Sequence, residues 1–262
     1  MAAQSPIMNV MIKAAEKAAR SLLRDFGEVE QLQVSRKGPA DFVTAADKRA
    51  EEIIFEELKR ARPSYSFLME ESGEVKGEDP DYKWIIDPLD GTHNFMHGLP
   101  HWCISIALEV KGRMEAAVVY DPLKDEVFRA ERSGGAFMRH KRLRVSSRDN
   151  FETAFIAFGS SMDKTNSTQY ANELTKVASF TPNLRRFGAA ALDLSYVAAG
   201  RIDGYWERGL HPWDAAAGTL ILKEAGGFFS SIDNDDNAVY SRNIVSGNDA
   251  IYRDLKKALQ TI

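Results

Sequence analysis

A chain of 262 residues, 44% apolar and 27% charged, can bury a sizeable core as one large domain or two modest ones, and its composition is that of a globular protein in water. Its 34 Lys and Arg against 38 Asp and Glu leave a net charge of −4, which argues against nucleic acid as the main partner and is too mild for a disordered acidic chain. The single cysteine, Cys103, lies in an apolar run; it excludes an internal disulfide and a Cys/His zinc cluster, and is read as core.

Residues 7–26 have an amphipathic rhythm and reach Gly27, so a helix is expected there. Lys13, Glu16, Lys17 and Arg20 interrupt the long apolar run that a signal peptide or membrane span needs, making a soluble cytoplasmic protein the default. A second helix is expected over 47–62, with Ile53, Ile54 and Leu58 near one face, Thr44-Ala45-Ala46-Asp47 as its capping box and Pro63 as its stop. Residues 82–86 read as a short strand that ends in a loop at Asp87-Pro88. Runs at 105–110, 115–120 and 126–130, separated by Lys111-Gly112 and Asp121-Pro122, have the grammar of an antiparallel meander.

Beyond Arg148 the pattern changes. Strands are expected at 154–158, 202–206, 228–231 and 243–245, and helices at 169–179, 189–199, 214–225 and 249–259. The expected organisation is thus an α+β part over 1–148 with an antiparallel sheet, followed by an α/β part over 149–262. No long linker or internal repeat divides them. The basic stretch His140–Arg148 is read as a solvated strand edge.

Three segments carry the chemistry. In Trp84-Ile85-Ile86-Asp87-Pro88-Leu89-Asp90-Gly91-Thr92, an apolar strand delivers two carboxylates into one short turn. Two such groups repel when ionised, a conflict that a hard divalent cation resolves. Gly91-Thr92-His93-Asn94 can open a short helix whose N–H groups suit a phosphate. The alternative is a polar turn with Asp90 as an N-cap. In Phe67-Leu68-Met69-Glu70-Glu71-Ser72, a second apolar stretch delivers glutamates, either to a metal or to a solvated turn. In Trp206-Glu207…Trp213-Asp214-Ala215-Ala216-Ala217-Gly218, Asp214 opens a small-residue helix as an N-cap or as a ligand from the second half of the chain.

Taken together, Glu70-Glu71-Ser72, Asp87-Pro88-Leu89-Asp90-Gly91-Thr92, Trp213-Asp214-Ala215-Ala216-Ala217-Gly218 and Asp41-Phe42-Val43-Thr44-Ala45-Ala46-Asp47 resemble the signatures of the inositol monophosphatase family, in its bacterial SuhB branch. The resemblance runs from about Lys37 to Gly247. It implies a layered αβαβα sandwich, a Mg²⁺ cofactor, lithium sensitivity, a homodimer and a small phosphorylated polyol as substrate.

The implied roles follow position by position. Glu70, Asp87, the carbonyl of Leu89, Asp90 and Asp214 would hold the metal. Glu70 and Thr92 would position the attacking water, with Asp47 supporting Thr92. The N–H groups of Gly91 and Thr92 would hold the phosphate. Asp90, Glu207 and Asp214, with the backbone at Gly188 and Ala189, would line the substrate, and Lys37 would lie on a loop near the site. The family often has a hydroxyl residue where this chain has Ala189 or Ala190, and no role is assigned to His93, His97, His101 or His211. No Gly-x-Ser-x-Gly or cysteine nucleophile signature is present, so water is the expected attacking group. Fructose bisphosphate, a nucleotide or histidinol phosphate are competing substrates. A non-catalytic association with transcription or ribosomal RNA maturation machinery is the third reading; the intact ligand set favours catalysis.

Overall fold

The computed structural model describes residues 4–28, 34–36, 42–160, 167–233 and 237–261. Lys37 and Asp41 lie outside the described residues, as do the side chains of Phe42, Val43 and Thr44.

Helix α1 (Pro6–Phe26) starts where Ser5 accepts a hydrogen bond from the N–H of Met8 at 3.1 Å and Pro6 presets the first turn. Its buried face is Met8, Met11, Ala14, Ala15, Ala18, Ala19 and Leu22, and the four alanines let a second helix approach closely. A small hairpin pairs β1 (Val34–Arg36) with β2 (Phe42–Thr44). Helix α2 (Ala45–Ala61) follows without a break, beginning two residues before the expected start. It buries Ala46, Ala50, Ile54 and Leu58 and also carries Asp47 and Glu51 inward, one turn apart.

These helices cover one face of an eight-stranded sheet. Its strands are β3 (Tyr65–Met69), β4 (Gly73–Val75), β5 (Asp79–Asp90), β6 (Cys103–Val110), β7 (Arg113–Asp121), β8 (Glu126–Glu131), β9 (Gly135–Met138) and β10 (Lys141–Arg142), in the order β10-β9-β8-β7-β6-β5-β3-β4. Only the β3–β5 pair is parallel. Alternation along each strand divides the side chains between two cores. Trp84, Ile86, Ile104, Ile106 and Val118 pack toward α1 and α2, whereas Ile85, Ala107, Ala117, Val119 and Ala130 face the other way. The meander is as the sequence implies, and Lys141–Arg142 form its exposed edge.

One expectation is corrected here. The short strand at 82–86 is part of a twelve-residue strand that continues through Asp87-Pro88-Leu89-Asp90. Asp87 pairs with Ser105 and Asp90 with Cys103, so three steps on β5 oppose two on β6. This is a bulge, and it absorbs Pro88, which has no N–H for the ladder.

The second face of the large sheet carries α5 (Ala190–Ala198) and α6 (Pro212–Glu224), which are buried nearly all round. Beneath them lies a five-stranded sheet of β11 (Ile156–Ser160), β12 (Leu184–Arg185), β13 (Gly204–Arg208), β14 (Phe228–Ser230) and β15 (Asn243–Gly247), in the order β12-β11-β13-β15-β14. Helices α4 (Ser167–Ala178) and α7 (Asp249–Gln260) close the outer face. The result is five layers, αβαβα. No described helix is long and apolar enough to cross a membrane.

Candidate active site

The β5 bulge turns two acidic side chains inward, with Asp87 at 2% and Asp90 at 8% exposure. Asp87 is held by its own turn: Oδ1 accepts the N–H of Leu89 at 2.9 Å. Asp90 reaches across the molecule. Its Oδ1 accepts the N–H of Ala190 at 3.2 Å and its Oδ2 that of Ala191 at 2.7 Å, while the thiol of Cys103 lies 3.6 Å from Oδ2. Ala189, the N-cap of α5, offers no side-chain bond, so Asp90 supplies the cap from 100 residues away. Asp90 thus caps the start of α5 from outside that helix, and the N-cap of the short helix that follows it is Gly91.

That short helix is α3 (Thr92–Met96). It opens at Gly91, whose φ of 96° lies in the left-handed region. A β-carbon there would lie 3.0 Å from the carbonyl oxygen of His101 and 3.2 Å from Cβ of Ala189, so glycine serves both the turn and the close approach to the 188–189 turn. The Thr92 hydroxyl donates to the carbonyl of Leu89 at 3.0 Å, which ties together two of the expected site groups. Asn94 donates from Nδ2 to the carbonyls of His101 at 2.7 Å and Phe187 at 2.8 Å.

Glu70 follows β3 on the neighbouring strand, and the turn after it is held by Glu51 of α2. Glu51 accepts the N–H of Glu71 at 2.8 Å and the hydroxyl of Ser72 at 2.5 Å. Asp47 is 2% exposed and acts electrostatically on Glu70.

Asp214 sits in the first turn of α6 as the acidic half of a capping box: His211 is the N-cap and its N–H donates to Oδ2 of Asp214 at 2.7 Å. The His211 ring stacks on Trp213 at 4.6 Å. Glu207, on β13, accepts a short hydrogen bond from the Tyr205 hydroxyl. Gly159 on the adjacent strand makes room for it, since a β-carbon there would fall 2.0 Å from the Glu207 carboxylate.

These carboxylates feel one another. Burial, then the charge of Asp214, holds Glu70 well above the ordinary range. Burial, then Glu70, Asp90 and Asp214, does the same for Asp87. Burial raises Asp214, with Asp90 adding to it. Burial pushes Asp90 up to about 6 against the pull of the Ala191 N–H, and Glu207 up to about 8 against the Tyr205 hydroxyl, with Asp193 and Asp90 adding. No Lys or Arg makes an ion pair with any of these five among the described residues. Burial also drives the Cys103 thiol well up, which fits a core residue and not a nucleophile.

The fold therefore gathers Glu70, Asp87, Asp90, Glu207 and Asp214 from both halves of the chain into one electrostatic neighbourhood, with Gly91 against Ala189. It does not form a finished cage: among the described residues no three Asp, Glu, His or Cys side chains stand together in ligand geometry. Several of the oxygens are turned to backbone N–H groups instead. A set of buried and half-buried carboxylates with no ion-paired Lys or Arg among the described residues is the donor chemistry that a hard divalent cation takes.

Sequence reasoning passed over Asn94, His101 and Asp193. His101 Nε2 lies 2.9 Å from Oδ1 of Asp193, a pair 92 residues apart that no local pattern reveals. The one readable signal was a charged residue, Asp193, inside the otherwise apolar run of α5.

A family model described as the inositol monophosphatase family matches residues 3–262. The chain belongs to the inositol monophosphatase family. Membership makes it a phosphatase by class. It is 51% identical to an inositol-1-monophosphatase of Mesorhizobium japonicum over 98% of this chain and 97% of that protein. It is 43% identical to the Nus factor SuhB of Escherichia coli K12, over 95% and 93% of the two chains. The crystal structure of the extragenic suppressor protein suhB from Bartonella henselae superposes with a TM-score of 0.94 at 51% identity, covering 98% of this chain and 99% of that one.

Proposed function

We propose that the protein is a Mg²⁺-dependent phosphatase that hydrolyses a small phosphorylated polyol, with inositol 1-phosphate as the leading substrate. The observation that carries this reading is the charge conflict among buried Asp87 and Asp90 and half-buried Glu70 and Asp214, each held above its ordinary range, with no Lys or Arg in ion-pair contact among the described residues. These four carboxylates, with the carbonyl of Leu89, would hold the metal. When bound, the metal neutralises charge building up on the phosphoryl group and the leaving oxygen.

The chain's own groups do the rest. Glu70 and Thr92 orient a water for attack on phosphorus, and Asp47 supports that pair. The N–H groups of Gly91 and Thr92, at the start of α3, bind phosphate oxygens. Glu207, Asp90 and Asp214, with the backbone at Gly188 and Ala189, receive the polyol hydroxyls. Glu207, held at about 8, can donate or accept a hydrogen bond near neutral pH. The contacts of Ala190 and Ala191 with Asp90 run through backbone N–H groups and do not depend on the side chains there. Lithium inhibition, a homodimer and a cytoplasmic setting belong to the same proposal.

Phosphate release from inositol 1-phosphate, fructose 1,6-bisphosphate, a nucleoside monophosphate and histidinol phosphate, each with Mg²⁺ and with EDTA, tests it. Fastest turnover of the inositol ester, abolished by EDTA, is the expected result; preference for another ester, or turnover that resists EDTA, overturns it. The 43% identity to a Nus factor supports a second role in binding transcription machinery. An Asp87→Asn/Asp90→Asn variant that still captures RNA polymerase would separate that role from catalysis.

A further inference from the structure

Six contacts stitch the 90–103 segment to the 187–196 segment, and only the two made by Asp90 involve a side chain already assigned to the site. Asp90 takes the N–H groups of Ala190 and Ala191. Asn94 spans the carbonyls of His101 and Phe187. The His101 ring stacks on Phe187 at 5.1 Å and meets Tyr196 edge-on at 5.6 Å. Its Nε2 then pairs with Asp193, which lies in the same first turn of α5 as the two N–H groups that hold Asp90.

We propose that His101, acting through Asp193, is a positioning residue that seats the N-terminus of α5 on Asp90 and so sets how strongly the site takes its metal. The inference rests on the reading of Asp90 as a metal ligand. Helix α5 is packed between two sheets, and Asp193 is 1% exposed. A carboxylate there does more than fill space: besides His101 it faces the backbone N–H groups of Gly188 and Ala189 just ahead of the same turn, and a buried polar pair seldom stabilises a fold more than well-fitted apolar groups of the same volume. What the pair adds is direction. It fixes the rotation and height of the first turn of α5, and that turn's N–H groups fix both oxygens of Asp90. A shift of α5 would carry those donors away and let the carboxylate swing. Outer groups that orient a ligand in this way are commonly worth about 10–100-fold in metal affinity.

The test uses three variants of the full chain. His101→Phe/Asp193→Leu removes both partners together, keeps a ring over Phe187 and leaves no buried charge unpaired, so it avoids the folding penalty of His101→Phe alone. His101→Gln keeps an amide nitrogen where Nε2 stood. Asp90→Asn controls for the site reading itself. Each is measured for Tm, for Mn²⁺ affinity by calorimetry without substrate, and for the Mg²⁺ concentration that half-saturates hydrolysis of inositol 1-phosphate. The expected outcome is a double variant with Tm near the parent's, a Mn²⁺ Kd and Mg²⁺ half-saturation both raised about tenfold or more, and parental values in the Gln variant. A folded double variant whose metal affinities stay within about twofold of the parent overturns the inference, as does a Gln variant as impaired as the double one. If the double variant fails to fold, a fourth variant, His101→Asn, whose amide is too short to reach Asp193, decides by its Mn²⁺ Kd beside a parental Gln variant: raised about tenfold supports the inference and within about twofold overturns it. Parental Mn²⁺ affinity and turnover in Asp90→Asn would sink the site reading instead, whatever the His101 variants do.

Discussion

Asp90 is fixed by donors on both of its oxygens, and Glu207 by the Tyr205 hydroxyl, yet both remain expensive to ionise because each is buried among other acids. The consequence for stability has a definite direction. Asp90 rises from 3.8 to about 6 and Glu207 from 4.5 to about 8, so between pH about 4 and 8 the native metal-free protein binds more protons than the unfolded chain. Stability then falls as pH rises through that window. Glu57, held down at about 2 by hydrogen bonds from Lys17 and Arg60, contributes in the opposite direction but only below its ordinary 4.5, beneath the pH range from about 5 to 8. In EDTA, Tm is expected to drop from pH about 5 to about 8. Saturating Mg²⁺ should abolish the drop, since the cation favours the ionised carboxylates. A Tm in EDTA that is flat or rises across this range contradicts the assignment. Gly159 offers a second check at the same scale. In Gly159→Ala the new methyl displaces the Glu207 carboxylate, so KM for inositol 1-phosphate should rise about tenfold, with kcat changed less; an unchanged KM removes Glu207 from the substrate contacts.

Helices α5 and α6 bring their N-terminal turns to the site because they can lie so close. A β-carbon on Gly218 would sit 2.7 Å from Cβ of Leu194 and 3.2 Å from the carbonyl of Ala191. Gly218→Ala should therefore force the pair apart, cost about 1–3 kcal/mol, and shift the urea midpoint down without changing the slope. A midpoint equal to the parent's would mean the contact has slack. At this scale the sequence was most readable where a single element decides its own fate. The apolar periodicity of 7–26, the alanine run of 189–199 closed by Gly200, and the segment 249–259 all appear as helices within a residue or two. It was least readable where a partner decides. The passage of β5 through Pro88 to Asp90 depends on a bulge against β6, which no local rule encodes. Asp214 looked like a helix cap by position and occupies the third helical position instead, because His211 takes the capping place. The acidic signatures were legible as a set, since they are short and keep their order. Asn94, His101 and Asp193 were not, because their meaning lies in contacts across about ninety residues of chain.

Across the whole molecule, the two sheets are joined by the α5–α6 layer, and one continuous core runs from Ile85 and Ala117 through Ala191 and Leu220 to Tyr205 and Ile244. The acidic groups lie where this shared layer meets the bulged end of β5. Glu70, Asp87 and Asp90 arrive on the large sheet, while Asp214 and Glu207 arrive from the helices and the small sheet. A site built this way is complete only when the halves are assembled, and a cation held there should bind and stabilise both together. The most direct measurement is calorimetric titration of Mg²⁺ into the metal-free protein and into its Asp214→Asn variant, with folding checked by circular dichroism. Loss of a binding event, or an affinity at least about tenfold weaker in the folded variant, is the predicted result. Superimposable isotherms would contradict a metal site shared between the two halves.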